Sequence, residues 1–120
     1  MSHPYDYKIV DVLRVVDGDT VDVVFDVGFR VTTTQRVRLL GVDTPELRDP
    51  VPDVRVQAVA AKEFVIAWFR AVELLELRAS THKSDSFGRW LADIYAVDRG
   101  ESSHLVDDLL AGGYATRWGR

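Results

Sequence analysis

The stretch YKIVDVLRVVDGDTVDVVFDV, Tyr7 to Val27, is rich in Val and interrupted once, by Asp17-Gly18-Asp19. Branched aliphatic residues favour extended backbone and Asp-Gly supplies tight-turn geometry, so the stretch predicts two strands folded into a hairpin. A third strand is expected from Phe29 to Val42, where Arg36 and Arg38 alternate with Val37 and Leu39. A period of two sets Arg36, Arg38 and Leu40 on one face of it. Pro45, Pro50 and Pro52 then fall in a span that neither a helix interior nor a central strand tolerates, which makes PELRDPVP an exposed loop.

Beyond that loop the period lengthens. Ala58, Ala61, Val65, Trp68 and Val72 recur at helical spacing, which predicts an amphipathic helix from about Val54 to Val72 with Lys62, Glu63 and Arg70 left for solvent. Glu73 to Ala79 alternates as a short fourth strand, His82 to Gly88 reads as a polar loop, and Arg89 to Val97 as a fifth strand bearing Trp90, Ile94 and Tyr95. A last helix is expected from Leu105 to Ala111, with Ser103 as N-cap, Asp107 and Asp108 at the positive end of its dipole, and Gly112 and Gly113 as its stop. Three strands, a helix, two strands and a terminal helix describe a mainly β chain with helices, compatible with a five-stranded barrel of the OB type. An α+β sandwich produces a similar order, so the motifs must decide.

A chain of 120 residues fits one domain, here residues 7–120, preceded by a flexible tail over residues 1–6. The absence of cysteine excludes disulfides, thiolate zinc sites and cysteine nucleophiles. His3, His82 and His104 have no paired-ligand spacing, so any metal should be bound by oxygen. A formal charge of -4 excludes a strongly basic coat for nucleic acid. Twelve of the fifteen cations are nevertheless Arg, whose planar fork suits phosphate. No apolar run reaches the roughly 18 to 20 residues of a membrane span, and MSHPYDYKIV lacks a basic segment followed by an apolar one. No membrane partner is expected. As written the protein is expected inside the cell, or outside if a leader was removed, and as a monomer.

Two carboxylate turns each close a strand: DGDT at Asp17 to Thr20 and GVDTPE at Gly41 to Glu46. Taken singly, each is explained as a turn. If neighbouring strand ends bring Asp19 and Asp43 together, the pair forms a hard-oxygen environment suited to Ca²⁺ or Mg²⁺, and without a cation it repels. Arg38 lies five residues before Asp43, and Arg89 opens the fifth strand in SFGR. A divalent metal, a free carboxylate and two guanidinium groups are what phosphodiester hydrolysis requires, because charge builds on the phosphoryl oxygens and a water must be aimed in line with the leaving oxygen.

In order and spacing, DGDT, RLLGVDTPE from Arg38 to Glu46, and DSFGR from Asp85 to Arg89 resemble the motifs of the staphylococcal, thermonuclease-type nuclease family, over roughly Tyr7 to Trp118. The resemblance implies an SNase-like OB-type barrel with a helix after the third strand. It implies Ca²⁺ held by Asp19, Asp43 and the carbonyl of Thr44, and Glu46 as the carboxylate that holds or deprotonates the attacking water. Arg38 and Arg89 would neutralise the phosphate, Arg89 also favouring departure of the 5′ oxygen. The implied activity is Ca²⁺-dependent cleavage of DNA and RNA, preferring single strands and leaving 3′-phosphate ends. Where the family pattern has Lys and Tyr, this chain has Ser86 and Phe87, which removes a cation and a hydroxyl; Phe87 can still stack on a base. The expected domain also lacks the family's third helix, whose place in the groove Tyr114 and Trp118 would partly take unless they only pack against the barrel. The alternative is a non-catalytic OB-type module that binds single strands or a protein.

Overall fold

The computed structural model describes residues 5–84 and 88–117. Strand β1 (Tyr5–Asp17) and strand β2 (Thr20–Asp26) form the expected hairpin, turning through Gly18 and Asp19. β1 begins at Tyr5, inside the expected tail, because Tyr5 and Asp6 pair with Thr81 and Ser80. Its register against β2 slips between Ile9 and Asp11, between Val12 and Arg14, and between Val15 and Asp17. Bulges of this kind bend and twist a strand, which lets β1 wrap around the barrel.

Strand β3 (Thr32–Leu39) is shorter at both ends than the periodicity suggested. Gly28, Phe29 and Arg30 all take positive φ, at 96°, 56° and 63°, and so form the β2–β3 loop. Gly41, at φ 83°, then turns the chain into a separate two-residue strand, β4 (Val42–Asp43). Helix α1 (Pro52–Ala71) starts on its proline, a residue suited to the first helical turn, and buries the predicted stripe of Ala58, Ala61, Val65 and Trp68, with Val72 buried at its C-cap.

The turn Val72 to Leu75, closed by a 2.9 Å bond from the Leu75 amide to the Val72 carbonyl, delays strand β5 to Glu76–Ser84. That strand also runs into the stretch expected as a loop, because its ladder with strand β6 (Trp90–Asp98) continues through Ser84 and Trp90. Strand β7 (Glu101–His104) hairpins onto β6 and leads directly into helix α2 (Leu105–Ala111), whose bounds match the expectation. Ser103 is not its N-cap: it is spent in the ladder opposite Ala96, and His104 occupies the cap without a side-chain bond to the helix. Strand β8 (Thr116–Arg117) pairs with β4.

The large sheet runs β3-β2-β1-β5-β6-β7, and β3 also pairs with β6 in parallel through Val37 and Trp90, Arg38 and Leu91, Leu39 and Ala92. That second pairing closes a five-stranded OB-type barrel. Alternate residues fill it: Val21, Val23 and Phe25 from β2, Val37 and Leu39 from β3, Ala92 and Ile94 from β6. Leu105 and Leu109 of α2 are fully buried in the same core. Closure brings the start of β6 beside the end of β3, and with it Arg89 toward Arg38.

Candidate active site

The β1–β2 turn, the end of β3, β4 and the start of β6 meet at one end of the barrel. The Leu39 amide donates to the Asp19 carbonyl at 2.8 Å, and Thr20 pairs with Arg38, so Asp19 is fixed beside Arg38 by the ladder itself. Gly18 does not have a positive φ, and its need for glycine is steric: an added Cβ would lie 2.8 Å from the Thr44 hydroxyl and 2.9 Å from the Ala61 methyl. The bare backbone lets the turn rest on α1 and on the residue after β4. The Thr44 amide can then donate to Asp19 Oδ2 at 3.2 Å.

Arg38 ties the cluster together. Its Nη1 donates to the carbonyls of Leu39 at 3.0 Å and Val42 at 2.8 Å, stapling the Gly41 turn. Its Nη2 bonds to Asp43 Oδ1 and lies 3.6 Å from Asp19 Oδ2. The arginine and Asp19 side chains are only 14% and 13% exposed, whereas that of Asp43 is 48% exposed and faces the opening. Burial alone would raise the pKa of Asp19, but hydrogen bonding to Asp17, the Thr44 amide and the Arg38 charge together hold it below the usual carboxylate value. Asp17 is pushed the other way, to about 6, by burial first and then by its hydrogen bond to, and repulsion from, Asp19. Asp19 is therefore the ionised member of the pair.

These groups line an open cleft of about 730 Å³, together with Thr44, Glu46 and Arg89. Asp19, Arg38, Asp43, Thr44, Glu46 and Arg89, expected from three separate motifs, thus share one cavity. Phe87, with Ser86 and Trp118, lies outside the described residues. The Glu46 side chain makes no hydrogen bond or ion pair among the described residues and sits in the exposed loop after β4, where its carboxylate is available to solvent.

Four further charged residues of the cleft were not expected: Arg14, Asp17, Arg48 and Lys62. Lys62, expected to be left for solvent, is half-buried and lines this open cleft. The signal was present, because four residues after the buried Ala58 and next to Ala61 it borders the buried stripe. With five cations against four acids, the cleft is locally positive in a chain of charge -4. Tyr114 does not wall this cleft. Its ring stacks on Phe64 at a centroid distance of 4.6 Å and lines a separate pocket with Pro45 and Gln57.

A divalent cation is compatible with this donor set. Among the described residues no three of His, Cys, Asp and Glu enclose a metal by themselves. Asp19 and Asp43 nevertheless converge on one positive centre, the Arg38 Nη2, and every nearby donor is a hard oxygen, including the buried Thr44 hydroxyl, which has no hydrogen-bond partner among the described residues. That fits a Ca²⁺ ion completed by water or phosphate oxygens and not a closed protein cage.

A closed five-stranded barrel of the OB type, with an acid and arginine cleft where β2, β3, β4 and β6 meet, defines the class. Residues 36–119 match the staphylococcal nuclease homologue family, and the chain belongs to that family. A thermonuclease of Staphylococcus intermedius is 33% identical over 100 residues, an alignment that covers 83% of this chain and 56% of the relative. The chain thus spans little more than half the length of that protein.

Proposed function

We propose that the protein is a Ca²⁺-dependent nuclease that hydrolyses phosphodiester bonds of DNA and RNA, favours single strands and leaves 3′-phosphate ends. The observation that carries this reading is the convergence of Asp19, Asp43, Arg38, Glu46 and Arg89 on one open cleft. Asp19, Asp43 and the Thr44 carbonyl would hold the ion, which when bound supplies charge neutralisation at a phosphoryl oxygen.

The remaining work falls to the chain's own residues. Glu46, exposed and without a side-chain partner among the described residues, orients a water toward phosphorus and accepts its proton. Arg38 and Arg89 set guanidinium groups against the oxygens on which charge accumulates, and Arg89 also donates to the departing 5′ oxygen. Arg38 lies against Asp19 and Asp43, and its outer donors would be available to phosphate with those carboxylates engaged by a cation. A single strand suits the cleft because its backbone bends into a concave site more readily than a duplex does.

Denatured DNA and RNA should be degraded on adding Ca²⁺, with 3′-phosphate termini, and degradation should stop on adding a chelator. Strand binding that is independent of metal and produces no cleavage on long incubation would replace this reading with that of a binding module.

A further inference from the structure

The cleft does not end at its acids. Arg14 lines it on one side and also lines a second groove of about 450 Å³ that runs between β1 and α1. Along α1, Lys62 belongs to the cleft and Ile66 and Arg70 belong to the groove, which Glu73 also lines just past the helix end. Spacings of four residues lie on one helical face, so cleft and groove are successive parts of a single trough, about 12 Å long from Lys62 to Arg70. The opposite wall is β1, whose ladder with β5 covers only Tyr5 to Lys8, so that beyond Lys8 this edge of β1 faces the trough. Val10 and Leu13 are 49% and 53% exposed there.

The cations at the mouth, Lys62 and Arg14, have no hydrogen bond or ion pair among the described residues. The cross-strand carboxylate opposite Arg14 is Asp22, which feels the Arg14 charge but already accepts two bonds from Arg36, at 2.8 and 3.0 Å. Farther along, the groove is lined by Asp11 and Glu73 as well as Arg70, so the surplus of cations lies at the mouth. Concave, locally positive surface continuous with the cleft fits an anionic strand better than a peptide.

We propose that Lys62 and Arg14 hold the phosphate adjoining the scissile one, and that a single-stranded substrate leaves the cleft along the β1–α1 trough, over Leu13 and Ile66. The inference rests on the nuclease reading. It assigns substrate positioning, not chemistry, to both cations.

The test compares wild type, Lys62→Gln, Arg14→Gln and Lys62→Arg on a fluorescent octanucleotide and on a minimal substrate that carries only the scissile phosphate, with Ca²⁺ present. Either Gln variant should raise KM for the octanucleotide about tenfold with kcat within about twofold, and lower the log–log salt slope of binding by about 0.7. Lys62→Arg should restore both, and the minimal substrate should be indifferent. Unchanged KM and slope, or equal losses on both substrates, would overturn the proposal. Self-association abolished by Val10→Lys, with strand binding unaffected by the Gln variants, would assign the trough to protein and overturn it as well. If wild type cleaves neither substrate, the nuclease reading fails. Strand binding by anisotropy then decides the subsite separately: loss of affinity in the Gln variants retains it, and unchanged affinity removes it.

Discussion

Two acid and arginine clusters lie on this barrel, and they differ in what they leave over. On the outer face of β1, β5 and β6, Arg78 donates to Asp6 at 2.6 Å and to Glu76 at 2.8 Å, and Asp6 also accepts the Tyr95 hydroxyl and that of Ser80. Its acids are matched by the arginine and hydroxyls around them, on a convex sheet face. In the cleft, one arginine serves two carboxylates and two carbonyls, while the Glu46 and Lys62 side chains have no partner among the described residues. Pairing of charges is common to both; a concavity with uncommitted groups belongs to the cleft alone. That surplus separates a site that can take up a ligand from a network that holds strands together.

Activity should separate the clusters most strongly. Arg38→Ala or Arg89→Ala should lower the rate by on the order of 10³ to 10⁵, as loss of a phosphoryl-charge stabiliser does. Arg78→Ala should leave kcat/KM within about twofold in the same steady-state assay. Stability comes next. Arg38→Ala leaves two acids facing each other and unpins the Gly41 turn, at a cost of about 3 kcal/mol in denaturant unfolding without metal. Arg78 is 29% exposed, and its loss should cost about 1 kcal/mol or less.

Gly18→Ala tests the steric support of the cleft. Its methyl must displace Thr44 or Ala61, which should lower stability by about 2 kcal/mol and weaken Ca²⁺ binding through the misplaced Asp19, both measurable by calorimetry. The smallest effect is a contrast in pH. Asp17 has a raised folded pKa, so its contribution is fully present below its ordinary value near 3.8 and is lost as pH rises through about 6. Asp17→Asn should therefore stabilise the metal-free protein above pH 6, by roughly 1 kcal/mol after discounting for partial exposure, or about 4 °C in Tm. Asp6 has the opposite sign. Burial alone would raise its pKa, but the Tyr95 hydroxyl and Arg78 outweigh it and lower the value, so its contribution is present above its ordinary value and fades as pH falls through the depressed one. Asp6→Asn should leave no gain above pH 6.

The barrel was legible where residue patterns are long. The Val alternation of β2 and the apolar stripe of α1 each repeat often enough to fix a period, and α2 is bounded by Gly112 and Gly113. The short elements were not. β4 and β8 have two residues each, and their pairing of Asp43 with Thr116 depends on barrel closure, which no local pattern encodes. Within the site, Asp19, Arg38, Asp43, Glu46 and Arg89 were readable because three motifs occur in order. Arg14 and Arg48 reach the cleft through a bulged strand and a proline loop, whose directions no period predicts. Asp17 stood in the motif, but its coupling to Asp19 depends on burial, which sequence does not give.

The most direct measurement is the single-turnover rate of cleavage of a single-stranded DNA oligonucleotide with Ca²⁺, for wild type, Glu46→Gln and Arg78→Ala side by side. Rapid cleavage by wild type and Arg78→Ala, abolished by chelator and reduced at least about 10²-fold in Glu46→Gln, is the outcome predicted here. Wild-type-like turnover from Glu46→Gln, or cleavage unaffected by the chelator, would contradict the assignment of chemistry to this cleft.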